Sequence, residues 1–272
     1  MSNPVEQAIR QTQSSYYGKY RGFVVDNEDP DQRGRLKVSV PSVFGQQETY
    51  WALPCSPFGG LAEQGLFMIP EVDAQVWVEF EEGNQDSPIW VGVFWQTTEA
   101  IPSEAQKSPP TTRIIKTPAG HLLQFDDESG KEKLRLTHST GAELNVDENG
   151  SVKLTDANGA LLTMDANANS LTLKDTNGNS LVMDSSGTVV KDSNGNEITM
   201  AAGQLTVKGQ MITIEGSQVA LGGAGGEPMI KGMSFLSLFA THMHTCTAPG
   251  APTSPPIPQG EMSTLTTKTT AS

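Results

Sequence analysis

Between His121 and Leu221 the apolar positions recur in one short pattern: apolar, any residue, apolar, Asp, about two more residues, Gly. Leu144-Asn-Val146-Asp147-Glu-Asn-Gly150 and Val152-Lys-Leu154-Thr-Asp156-Ala-Asn-Gly159 are two examples. Leu171-Thr-Leu173-Lys-Asp175-Thr-Asn-Gly178 and Leu181-Val-Met183-Asp184-Ser-Ser-Gly187 are two more. Asp147, Asp156, Asp165, Asp175, Asp184 and Asp192 follow one another at intervals of 9, 9, 10, 9 and 8 residues. Apolar residues two apart share one face of an extended strand. The residue between them is polar or β-branched, as at Asn145, Lys153, Thr163, Thr172 and Thr199. Each unit therefore predicts one short strand and one tight turn, and a short fixed period predicts units stacked into a rod.

Strands this short cannot bury an apolar face alone. Three such faces close a triangular prism, wound by one chain alone or by three chains together. The three-chain form covers every strand edge and is favoured. An antiparallel meander of hairpins is the alternative, because Asn-Gly at 149–150, 158–159, 177–178 and 194–195 is also a hairpin signal. The Asp-x-x-Gly corners read as Asx-turns with left-handed glycines. Calcium-binding repeats carry denser glycine than the single Gly of these units, which favours the turn reading.

The rest of the chain has a different pattern. Residues 21–96 hold all four tryptophans, Trp51, Trp77, Trp90 and Trp95, and alternate in short runs. Strands are predicted at residues 22–25, 34–40, 49–53, 75–80 and 89–94, with a turn cluster at Asp26-Asn-Glu-Asp-Pro30-Asp31. Five strands in so short a span, without helical period, predict a small closed barrel. Residues 1–20 read as a polar, faintly helical arm. Residues 97–112 read as a Pro/Ser/Thr-rich linker, 113–221 as the repeats, and 222–272 as a needle tip with a Pro-rich tail.

The formal charge of −13 argues against nucleic acid or an anionic membrane as an electrostatic partner of the chain as a whole. No N-terminal stretch has the order of a signal peptide and no 18-residue apolar run exists, so synthesis in the cytoplasm is expected. Cys55 and Cys246 form no disulfide framework. There is no nucleophile elbow, no phosphate loop with Lys and no local Cys–His signature, so no enzyme is expected. A paired-carboxylate glycosidase stays open on residue types alone.

Residues 18–95 resemble the phage baseplate assembly protein V family, the OB-fold hub of contractile tail spikes. The resemblance rests on Gly22-Phe-Val-Val25, Asp29-Pro30, Gly34-Arg35-Leu-Lys-Val38-x-Val40-Pro41, Trp51-Ala52 and Ile69-Pro70. It continues through Val76-Trp-Val-Glu-Phe-Glu-Glu-Gly83 and Pro88-Ile-Trp-Val-Gly92, followed by the β-repeats. It implies an all-β chain: an OB-fold barrel followed by a trimeric, intertwined triangular β-helix. It also implies a non-enzymatic central spike of a contractile tail or injection machine. The homotrimer would dock on a baseplate hub ring and tail tube and pierce a target cell envelope. The expected location is a virion tail or assembled particle. The resemblance leaves out two parts of its relatives: a lysozyme domain between barrel and needle, and the fused hub region of the type VI spike. A rod-mounted glycan-binding or glycan-degrading tail protein is the alternative function.

His242-Met-His244 is the candidate metal site. Two histidines two apart on an extended strand point to one side. Three copies on an axis would bring six imidazoles together, which suits an octahedral ion such as iron better than tetrahedral zinc. The resemblance supports iron at such a pair. The bland reading is two solvated histidines before a Pro-rich tail. Cys246 is a weaker candidate ligand, and His121 and His138 read as turn residues. Met233-Ser-Phe-Leu-Ser-Leu-Phe239 fits helical and extended spacing equally and is expected to pack at the needle's end. Residues from Gly260 onward look poorly ordered by composition.

Overall fold

The structure is a computed structural model that describes residue 3 and residues 15–220, 227–230, 232–241, 243–245, 248–250 and 265–271. The helical tendency of the N-terminal arm falls mostly on residues outside these. The described chain is overwhelmingly β. It divides into two compact units, Met1–Asn149 and Gly150–Ser272.

The first unit opens with a five-stranded sheet in the order β2-β1-β4-β5-β3. Its strands are β1 (Tyr20–Asp26), β2 (Lys37–Ser39), β3 (Leu53–Pro54), β4 (Gln75–Phe80) and β5 (Pro88–Val93). Bridges Leu36↔Ala52 and Ser39↔Glu48 draw the two ends of the sheet together, which curls it toward a barrel. A short helical turn, α1 (Pro41–Phe44), follows β2, with Pro41 at its first position, where the lost N–H costs nothing. Alternation sets the core. Val76, Val78 and Phe80 of β4 point inward, against Val24, Leu36, Val38, Val40, Ala52 and Trp90. The buried Trp90 indole donates to the Gly34 carbonyl at 3.1 Å, so its one polar atom is satisfied. Tyr16 continues the core through its ring contacts with Tyr20 and Phe80. Gly22 is required by closeness alone, because a Cβ there would lie 2.5 Å from Val38 Cγ1.

The same unit then forms an antiparallel ladder of β6 (Thr112–Lys116), β7 (Leu122–Asp126), β8 (Lys133–Thr137) and β9 (Glu143–Val146). Residues 97–112, read as a linker, are tied to this ladder. Lys107 Nζ reaches Asp126 Oδ2 at 2.6 Å and Lys116 Nζ reaches Glu104 Oε1 at 2.7 Å. The amide of Gln106 donates to the carbonyls of Ile101 and Thr98. Polar side chains of β7, Gln124 and Asp126, are buried on this side of the ladder.

The second unit carries a longer ladder in which every strand pairs antiparallel with the next. Its strands are β10 (Val152–Thr155), β11 (Leu161–Asp165), β12 (Ser170–Lys174), β13 (Ser180–Asp184), β14 (Gly187–Lys191), β15 (Glu197–Ala201) and β16 (Gln204–Lys208). The apolar-x-apolar units from Val152 to Val207 fall in these strands, whereas Ile212-Thr213-Ile214 lies in no strand. The periodic Asp residues close the turns. Asp156 Oδ1 accepts from the N–H groups of Asn158 and Ala160 at 2.9 and 2.8 Å. Asp175 and Asp192 each accept in the same way from backbone two and four residues on. In both, an Asn side chain adds a further bond and holds the carboxyl below the usual carboxylate range. Within one chain, then, the turns act as hairpin turns.

Beyond the ladder lie β17 (Val219–Ala220), β18 (Glu227–Ile230), helix α2 (Gly232–Thr241) and β19 (Leu265–Ala271). β19 runs between the other two strands, parallel to β17 and antiparallel to β18. Composition predicted poor order here. The stretch Leu265-Thr-Thr-Lys-Thr-Thr-Ala271 is rich in β-branched threonine, which favours extended backbone.

Candidate functional site

The functional surface is built by the register of the ladders. In the second unit the pairings align Leu154, Leu162, Leu173, Leu181, Val190, Ile198 and Val207 in one cross-strand row. Val152, Met164, Leu171, Met183, Thr188, Met200 and Leu205 form a second row two residues away on the same face. All of these positions are apolar except Thr188. The opposite face presents Lys153, Thr163, Thr172, Val182, Val189, Thr199 and Thr206. This threonine-rich face suits water, and the other does not.

The apolar face is nonetheless open. Leu154, Leu173 and Leu205 are 50%, 51% and 64% exposed, and Met164, Ile198, Met200 and Val207 are exposed as well. The first unit repeats the arrangement. Ile115, Leu123, Leu136 and Leu144 form one row, with Phe125, Leu134 and Val146 beside it. Ile115 also joins Met68, Ile69, Val93 and Trp95 around a groove of about 630 Å³. The barrel's apolar flank and the first ladder's apolar face thus meet at Ile115. An exposed apolar surface of this extent marks a contact surface.

The barrel loop that carries the Asp-Pro turn has its own charge centre. Asp29 accepts Nε and Nη2 of Arg35 at 3.0 and 2.5 Å, and the backbone N–H groups of Asp31, Arg33 and Arg35. The Arg35 bond, with the three backbone donors, outweighs burial and holds the Asp29 carboxyl far below the usual range. Arg35 and Lys37 both lie over the Trp51 ring. These bonds fix the loop between β1 and β2, so Asp29-Pro30, Gly34-Arg35 and Trp51 form one structural unit.

The candidate metal ligands stand apart from these surfaces. His242 lies outside the described residues, as does Cys246. His244 is exposed, in the irregular segment just beyond α2, so the strand assumed for the pair is not present at Met243–Thr245. Among the described residues no three His, Cys, Asp or Glu side chains converge. A six-imidazole site built on this pair needs copies of the chain. His121 and His138 occupy turns, as expected. Their rings lie 4.5 Å apart, and each Nδ1 accepts a backbone N–H, from Ser139 and Thr140 respectively. The sequence did not single out the cross-strand rows as a site, because register becomes known only when the pairing partner is known.

Comparison with known proteins agrees with the barrel. Residues 20–95 match the type VI secretion system/phage-baseplate injector OB domain family. The chain is 28% identical over 114 residues to the actin cross-linking toxin VgrG1 of Vibrio cholerae, covering 39% of this chain and 10% of the relative. It is equally similar to the type VI secretion system spike protein VgrG3 of the same species, covering 11% of that relative. The spike protein VgrG5 of Pseudomonas aeruginosa is 27% identical over 134 residues, 46% of this chain and 17% of the relative. The chain therefore aligns with a small part of each relative's length. Among the described residues no helix is long and apolar enough to cross a membrane. The core alternation, the Asp29–Arg35 loop and the match over the same span agree, and residues 20–95 are an OB domain of the family shared by phage baseplates and type VI secretion injectors.

Proposed function

We propose that this chain is the non-enzymatic central spike of a contractile tail or injection machine, working as a homotrimer. The observation that carries the proposal is the pair of apolar rows left open along the ladder. Three copies, each contributing one sheet, close a triangular prism with all three apolar faces inward. The threonine-rich faces then meet water. Antiparallel pairing within each chain is compatible with this, since each side of the prism is one chain's sheet. Relatives named as spike proteins, and the OB domain itself, support the same role.

On this reading the OB domains form a collar that docks on the hub ring and tail tube, and the β-prism is the needle that meets the target envelope. Deleting residues 1–96 then abolishes incorporation into particles, while the remainder still forms an oligomeric rod. Particles that incorporate the truncated chain would reverse the assignment of docking to the barrel.

Three His242/His244 pairs would hold one iron ion per trimer in six-coordinate geometry, with no open position for catalysis. Such an ion cross-links three chains where strand pairing ends. Neutral imidazole is the ligand, so binding weakens below about pH 6. Elemental analysis of the purified oligomer tests this: one metal per three chains, lost in H242A/H244A, is expected. Metal-free protein would remove the site.

A further inference from the structure

Among the described residues helix α2 carries a further apolar surface, and it is unlike the ladder. Met233, Phe235, Leu236 and Phe239 are exposed, and the Phe235 and Phe239 rings stack with centroids 5.7 Å apart. At about 100° per residue, its polar side chains Ser234, Ser237 and Thr241 share one narrow stripe, with the apolar ones spread over roughly 220° on the other side. Packing of three helices about an axis uses a narrower face, about three positions in seven. Contact between copies therefore leaves much of this arc uncovered.

Charge separates this end from the rest of the molecule. The chain has 31 acidic residues and a formal charge of −13, yet from Pro228 to Gly260 it has no Asp or Glu. The one formal charge in that stretch is Lys231, next in sequence to the first residue of α2. An anionic surface repels the acidic ladder and accepts this segment. We propose that α2 is a lipid-contacting element that seats in the surface of an anionic phospholipid bilayer. Ten residues give a helix of about 15 Å, too short to span a hydrocarbon core of roughly 30 Å, so it lies along the surface. The apolar arc faces acyl chains, and the Ser/Thr stripe stays at the headgroups.

The proposal rests on the spike reading only in placing this end against an envelope. The test is flotation of the full-length chain with phosphatidylcholine vesicles, with and without phosphatidylglycerol, alongside native mass measurement. The wild type is expected to float with the phosphatidylglycerol vesicles. L236Q/F239Q, which keeps helix-compatible residues, should lower partitioning at least about tenfold with the oligomer unchanged. L236F/F239L should bind as the wild type does. A wild type that stays with the soluble fraction overturns the proposal, and so does undiminished flotation of L236Q/F239Q. Loss of the oligomer in that variant would assign α2 to contact between copies and also overturn it. A monomeric wild type that floats keeps the lipid contact and removes the spike reading instead.

Discussion

Leu36 and Leu173 are the same residue type with opposite fates. Leu36 is fully buried in the barrel, and Leu173 is half exposed on the ladder. L36A should cost roughly 2–5 kcal/mol through the cavity it leaves, read as a lower melting temperature of the barrel. L173A should change folding within one chain little and weaken assembly, so its effect appears in concentration-dependent mass. Gly22 gives a second residue-level expectation. G22A places a methyl against Val38 in a packed core, and thermal melting should show destabilisation. Asp29 gives the pH dependence. Its folded carboxyl is held below the free value of 3.8, so its contribution is complete above that value and lost as pH falls toward the folded pKa. D29N should lower stability at neutral pH and flatten the acid limb of a stability profile. An unchanged acid limb would assign the acid sensitivity to other carboxylates.

The elements were legible in the sequence to different degrees. Strand alternation in the barrel showed directly, because one buried face produces a period of two. The Asp29 turn cluster was visible as a turn, but its clamp on Arg35 depends on the loop's return path. The repeat units gave most of the strands of the longer ladder and the Asp turns between them. They did not decide between wound and hairpin pairing, because Asx-turns with left-handed glycines close both. The attachment of residues 97–112 was hidden for a similar reason. A Pro/Ser/Thr-rich segment reads as loose until Lys107 is seen at Asp126 and Glu104 at Lys116. The Met233–Phe239 stretch was ambiguous in period and is a helix. Of the candidate site, the histidine types and their spacing were legible. The irregular backbone at His244 was not. At this scale L171D is the sharpest test. Leu171 sits mid-row between Met164 and Met183, and a carboxylate from each copy would meet its equivalents inside the prism. Assembly should fail while circular dichroism still reports β-structure.

For the whole molecule, what covers the ladder decides how the chain works. An acidic, one-sided β-sheet with two open apolar rows is a poor solitary structure and a good third of a prism. Three copies would carry three times the charge of one, with the acid-free stretch at residues 228–260 as the part least repelled by an anionic surface. If the spike reading holds, the chain works as three. Native mass spectrometry of the full-length protein at submicromolar concentration tests it directly. A single species at three times 29.1 kDa is expected, dissociated by L171D. A folded, stable monomer with the ladder intact would contradict it.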